Sequence, residues 1–201
     1  MKTIGKITCS IIAVSAVIML AACSSGEFSH KKLVGFCRKH GCEICDDLEK
    51  YSSDSSHLMR SDNEGGYYIT GTEDIAEALY DRQINYFQDF RSYDVTEATI
   101  YTYQTSDSFS RGYLFTFEDL EDAEDFFGKY CEEHCEDGTT GIEKDYTYTV
   151  YHHSLNNGRA VKAGVYLKGN NVLIIWATNR NFDIIEDFCK TFRVIPPAGE
   201  E

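Results

Sequence analysis

Apolar positions change period along the chain, and each change predicts a different kind of element. Phe28, Leu33, Phe36 and Cys37 recur at the spacing of one helix face, and Gly41 follows His40. The pattern predicts a first helix over about 29–40, closed by glycine. Cys42 and Ile44 are expected to pack beneath it. Residues 52–66, rich in Ser, Asp and Gly, read as a surface loop. A short strand at 67–70 follows. Thr72 then reads as the N-cap of a second helix, whose stripe of Ile75, Ala78, Leu79, Arg82, Tyr86 and Phe90 runs to about Phe90.

Beyond residue 98 the alternation becomes that of strands. Segments 99–103 and 112–117 read as a strand pair leading into a helix over about 119–135, with Ala123, Phe126, Phe127, Tyr130 and Cys131 at helical spacing. Segments 146–152 and 160–167 flank Asn156-Asn157-Gly158, a hairpin turn. Lys168-Gly169-Asn170-Asn171 then turns into 172–177, which is apolar on both faces and therefore expected at the sheet centre. Asn181 is placed to cap a last helix carrying Ile184, Ile185, Phe188, Cys189 and Phe192, and Pro196-Pro197 ends the domain. Residues 99–130 and 161–192 align without gaps, matching Thr116 to Thr178 and Glu124-Asp125-Phe126 to Glu186-Asp187-Phe188. The expectation is an α+β fold: an antiparallel sheet of about five strands with helices packed on one face, built from ββα-type units preceded by N-terminal helices.

The start of the chain has a different texture. Lys2 and Lys6 precede an apolar run over 7–22, and no acid occurs before Glu27. At about 16 residues, diluted by Thr8, Ser10 and Ser15, the run is short for a bilayer span and fits a secretory signal peptide. Leu20-Ala21-Ala22-Cys23 resembles the lipobox of bacterial prolipoproteins. That resemblance implies cleavage between Ala22 and Cys23 and a diacylglyceryl group on the Cys23 thiol, whose two acyl chains (palmitate or similar) would hold the protein on the membrane. It also implies a place at the bacterial cell membrane, lipid-anchored and facing outside the cytoplasm. The expected organisation is a leader at 1–22, a short tether at 23–28, a single domain at 29–195 and a tail at 196–201. Residues 24–28 reach about 18 Å at most. The domain also loosely resembles small bacterial lipoproteins that begin with a helix ending in Gly and continue through strand, strand, helix and a meander, and this bears on fold alone.

Charge narrows the partners. With 33 Asp and Glu against 19 Lys and Arg, the net charge is −14, and losing the leader removes two lysines and no acid. Such acidity excludes nucleic acid as a partner. Lys31, Lys32, Arg38 and Lys39 stand apart, with no acid between Glu27 and Glu43. They form either a face toward anionic lipid or an ordinary solvated helix surface.

Candidate chemistry centres on cysteine. Besides Cys9 in the leader and Cys23, there remain Cys37, Cys42, Cys45, Cys131, Cys135 and Cys189. Outside the cytoplasm an even number suggests disulfides, among pairings the sequence does not choose between. Three of them lie on apolar helix faces, where cysteine also serves as a small core residue. Cys42-Glu43-Ile44-Cys45 with Cys131 and Cys135 offers four thiolates for zinc, though the second spacing is unlike a zinc knuckle, and no metal or other cofactor is expected. Cys42 and Cys45 also have the spacing of a thiol-redox pair, but a helix and its glycine cap precede them where a strand should. His152 and His153 point to opposite faces of their strand, and no catalytic constellation is present. The acids from Glu118 to Asp125 suit a helix N-terminus better than calcium. Tyr101, Tyr103, Tyr113, Phe115, Phe117, Tyr146, Tyr148, Tyr151, Tyr166 and Trp176 give the sheet a ring-bearing face, for a peptide or glycan or for the core. The reading is a binding domain rather than an enzyme, anchored to the membrane, with a protein, peptide or glycan partner. A thiol-redox or other extracytoplasmic enzyme, and a purely structural envelope protein, are the alternatives.

Overall fold

Two strands bury residues on both faces, and the sheet extends outward from them. In β4 (Phe109–Phe117), Tyr113, Phe115 and Phe117 face one way and Leu114 the other; in β8 (Asn171–Thr178), Val172 and Ile174 oppose Leu173, Ile175 and Ala177. They pair antiparallel, with Leu114 across from Leu173. On the β4 side lie β3 (Val95–Gln104), β2 (Gly65–Thr72) and the edge strand β1 (Cys42–Ile44). On the β8 side lie β7 (Ala160–Lys168), β6 (Tyr146–Ser154) and the other edge, β5 (Thr139–Glu143). This computed structural model describes residues 28–45, 65–72, 92–104, 109–135, 137–154, 160–178 and 181–197. Among them the sheet has eight strands: seven antiparallel, and β1 added parallel to β2. The count of about five is therefore corrected.

The helices cover both faces, not one. α1 (His30–Lys39) and α3 (Phe182–Phe192) pack on the face carrying Tyr101, Leu114, Tyr166, Leu173 and Ile175. α2 (Leu120–His134) buries Ala123, Phe126, Phe127 and Tyr130 against Ile100, Phe115, Val165 and Ile174 on the opposite face. A helix stripe states what that helix buries and says nothing about which sheet face receives it. Central strands that are apolar on both sides require cover on both. Ser29 caps α1, its hydroxyl accepting from the Lys32 N–H at 3.3 Å. Asn181 occupies the N-cap of α3 without making a side-chain cap bond. α1 meets α3 through Phe36 and Phe188, whose rings lie edge to face at 5.3 Å.

The aligned repeat does not survive. β3–β4–α2 and β7–β8–α3 share their element order, and their hairpins lie side by side in the sheet. A two-fold that exchanges antiparallel β4 and β8 is perpendicular to the sheet and would keep both helices on one face. With α2 and α3 on opposite faces the two units have opposite hand, so they do not superpose.

Phe28 is buried between Tyr146 and Phe192, at 6.3 Å from each ring. At the other end, the Tyr166 hydroxyl donates to the Ile195 carbonyl at 2.7 Å and the Tyr146 hydroxyl accepts the Ile195 N–H at 3.0 Å. The leader, Cys23, most of the surface loop at 52–66, the helix after Thr72 and the Asn156–Gly158 turn lie outside the described residues. Among the described residues no helix is long and apolar enough to cross a membrane.

Candidate functional site

One row of residues, read across four strands, makes a trough on the α2 face. Pairing places Tyr151 of β6 opposite Ala163 of β7, Ala163 opposite Trp176 of β8, and Trp176 opposite Arg111 of β4. A methyl group between two large rings leaves a slot. Val161, Val165 and Ile174 extend its floor, and Tyr130, His134 and Cys135 at the C-terminal end of α2 form a wall. The cavity measures about 180 Å³, similar to an apolar cavity that accepts a benzene-sized molecule. At the mouth Phe109 meets Trp176 edge to face at 4.9 Å, and the Arg111 guanidinium lies 5.5 Å from both rings. The Arg111 Nε is buried without a hydrogen-bond partner. The trough therefore offers apolar walls, several polar tips and one cation at its rim, which is the make-up of a small-ligand site. A wider depression of about 500 Å³ runs beside α3, but Lys162 there sits over the Phe182 ring at 4.7 Å and Lys190 pairs with Glu186 at 3.6 Å.

Tyr151 and Trp176 were among the ring candidates. Tyr130, His134, Ala163 and Arg111 were not legible as site residues. The available signal was the small-residue stripe of β7, since Val161, Ala163 and Val165 share one face. Most of the other rings are core: Tyr101, Tyr113, Phe115, Phe117, Tyr146 and Tyr166 are all buried.

The six described cysteines are thiols, none in a disulfide. Cys42 and Cys45 are not together. Residues three apart on an extended strand point to opposite faces, so Cys42 joins the core under α1 while Cys45 packs against the α2-side core. The redox pair read from their spacing is thereby corrected. Cys42 instead meets Cys37, whose thiol donates a hydrogen bond to it; that bond raises the Cys37 pKa and lowers that of Cys42. Cys135 likewise donates to Cys131, raising its own pKa and lowering that of Cys131. Cys189 is buried 3.7 Å from the Tyr166 hydroxyl, and burial pushes its thiol up to about 11. Among the described residues no three His, Cys, Asp or Glu side chains are grouped to hold a metal ion.

The charged clusters are engaged within the fold. Asp119 caps α2, accepting from the Asp122 N–H at 2.9 Å; Asp122 accepts from the Asp94 N–H at 3.0 Å, and Asp125 from the Tyr93 hydroxyl at 2.8 Å. The acids thus tie the start of α2 to the strand edge. Of the basic group, Lys39 and His40 both reach Asp187 of α3 at 2.8 Å, and Lys39 foremost holds that carboxyl below its usual range. Arg38 Nε donates to the Tyr68 hydroxyl at 3.1 Å, and Lys32 lies 5.5 Å from the Phe192 ring centre. Lys39, Arg38 and Lys32 thus make contacts within the fold, while Lys31 is exposed.

His30 sits in a buried polar chain between α1 and the sheet. Its Nε2 lies 2.9 Å from the Thr116 hydroxyl, which donates to Asn171 Oδ1 at 2.6 Å; its Nδ1 lies 2.7 Å from the Thr99 hydroxyl, itself 2.7 Å from that of Thr70. Because Thr116 spends its proton on Asn171, it accepts from His30, and Nε2 carries the imidazole proton. Burial lowers the His30 pKa to about 4. The residue is a neutral strut, remote from the trough.

No protein-family model and no curated protein matches the chain. Among solved structures it resembles the extracellular domain of PknH from Mycobacterium tuberculosis, at 11% identity and a TM-score of 0.42, over 70% of this chain and 88% of that one.

Proposed function

We propose that the protein is a lipid-anchored binding domain of the bacterial cell envelope, whose trough takes one ring-sized group presented by a peptide or glycan. The observation that supports binding is the slot between Tyr151 and Trp176, floored by Ala163, with the Arg111 guanidinium over the Trp176 ring. Support for the anchor is the lipobox-like Leu20-Ala21-Ala22-Cys23 after a short apolar leader. Shape and chemistry favour binding, since the trough joins large rings, apolar walls and a neighbouring cation.

Trp176 is the protein's one tryptophan, so its fluorescence reports the trough alone. Titration with N-acetyl-phenylalaninamide and with N-acetylglucosamine is expected to give a saturable change for one of the two and to tell peptide from glycan. Exchanging Ala163 for leucine fills the slot and is expected to abolish that response. No response to either probe counts against the trough as a binding site. The anchor is tested separately by intact mass of protein purified from its own membranes. The expected species begins at Cys23 and carries acyl chains; a chain retaining Met1, or a Cys23→Ser variant still anchored, counts against it.

A further inference from the structure

The two thiols at the end of α2 differ in exposure as an attacking and a resolving cysteine must. Cys131 lies on the last turn of the helix and is half-buried, whereas Cys135, the C-cap residue, is 4% exposed. The Cys135 N–H donates to the Cys131 carbonyl at 2.9 Å, which fixes the backbone spacing of the pair. At Cys135 the chain leaves helical geometry, with φ −135° and ψ 36°, and its thiol donates back to the Cys131 sulfur. A second donor, the Thr149 hydroxyl from β6, reaches the same sulfur. Thr149 is itself buried and held by the Thr140 hydroxyl at 2.9 Å. The sulfur of half-buried Cys131 thus has two hydrogen-bonding neighbours, Cys135 and Thr149.

We propose that Cys131 and Cys135 form a thiol–disulfide exchange site, with Cys131 attacking and Cys135 resolving, whose partner is a small or protein disulfide. The Cys131 thiolate attacks one sulfur of the partner disulfide, forming a mixed disulfide and releasing one thiolate. Cys135, losing its proton to solvent, then attacks the Cys131 sulfur; the intramolecular bridge forms and the second partner thiolate leaves. Two electrons pass from the cysteine pair to the partner, and the two cysteine protons end on the two released thiols. A low-pKa sulfur beside a resolving cysteine is the arrangement through which redox-reactive thiols discharge, and donation from Cys135 followed by Thr149 lowers the Cys131 pKa against the effect of burial. Cys37 and Cys42 touch in the same way but are 0% and 6% exposed, so an external disulfide does not reach them in the folded protein. Cys135 also lines the trough wall, but the exchange does not depend on what the trough binds.

The test is a time course of the reduced full chain with oxidised glutathione, quenched by acid, alkylated and mapped after cleavage at Glu132 and Glu133, which separates the two cysteines. The expected result is a Cys131–Cys135 bridge, two hydrogens lighter, while Cys37, Cys42 and Cys189 stay alkylatable once the protein is denatured. Cys135→Ser is expected to trap glutathione on Cys131, and Cys131→Ser to lose the bridge and leave Cys135 unmodified. The proposal is overturned if Cys45 takes glutathione while Cys131 and Cys135 remain thiols, or if Cys135→Ser traps no mixed disulfide. Since the mapping of the unsubstituted chain decides the first point, misfolding of either variant does not shield the proposal.

Discussion

Gly112→Ala is expected to destabilise the domain by about 3 kcal/mol, the upper part of the range for forcing atoms into a packed core. Gly112 of β4 pairs with Tyr101 of β3, and the tyrosine ring lies flat over it. A Cβ at that position would fall inside contact distance of the ring, with Tyr101 Cε1 its nearest neighbour. The ring has nowhere to go. It is 1% exposed, its hydroxyl is 3.0 Å from that of Ser110, and its face is covered by Phe36 at 5.6 Å and Phe188 at 6.4 Å. Relief would require α1 and α3 to lift from the sheet together. Gly35 supplies the control: it is exposed within α1 and a Cβ there meets nothing within 4 Å. Gly35→Ala is expected to stabilise by about 0.5–1 kcal/mol through helix propensity. Urea midpoints of the two variants should therefore move in opposite directions. A loss below about 0.5 kcal/mol for Gly112→Ala would mean that the contact between helices and sheet is soft rather than interlocked.

The same physics explains what was legible in the chain and what was not. Strands β3, β4, β6, β7 and β8 bury one face or both, so their alternation stands out, and α2 and α3 emerge within a residue or two of expectation. The strands that escaped notice, β1 and β5, are the two sheet edges. β5 reads Thr139-Thr140-Gly141-Ile142-Glu143 and leaves Ile142 78% exposed, so it has no apolar face to betray it. β1 is three residues long and is held by its parallel partner β2. Which sheet face each helix takes was hidden for another reason: it depends on the path of the connections, which a local stripe does not encode. The trough was hidden because it is defined by register. Ala163 is unremarkable in its own strand and becomes a slot only when Tyr151 and Trp176 are set on either side of it. Cys131 and Cys135 were visible as an i, i+4 pair, but only the end of α2 made one buried and the other accessible.

Lowering the pH from 7 to 4 is expected to remove about 3 kcal/mol of stability through His30 alone. The imidazole has an ordinary pKa of 6.5 and is lowered to about 4 by burial, at 8% exposure. Between those values the unfolded chain binds a proton that the folded chain refuses. The contribution is therefore complete above pH 6.5 and drains away as pH falls toward 4, at about 1.4 kcal/mol per pH unit. The hydrogen-bond chain agrees with this direction. Nδ1 of the neutral ring accepts from Thr99, and a proton there would turn that acceptor into a donor and force Thr99 to reverse its bond with Thr70. Glu97 is the carboxylate near enough to favour the charged ring, at 3.8 Å from Nδ1, but it is half exposed, and burial raises rather than lowers its own pKa. His30→Gln keeps hydrogen-bonding atoms at the site and removes the titration. The variant is expected to be less stable than the parent at pH 7 by about 1–3 kcal/mol, the usual result of disturbing a buried polar network. Its stability should then fall less steeply between pH 6.5 and 4, so that the two curves converge. Parallel curves across that interval would show that His30 is protonated in the folded state, and the strut would then be an ion held by Glu97 rather than a neutral ring held by threonines.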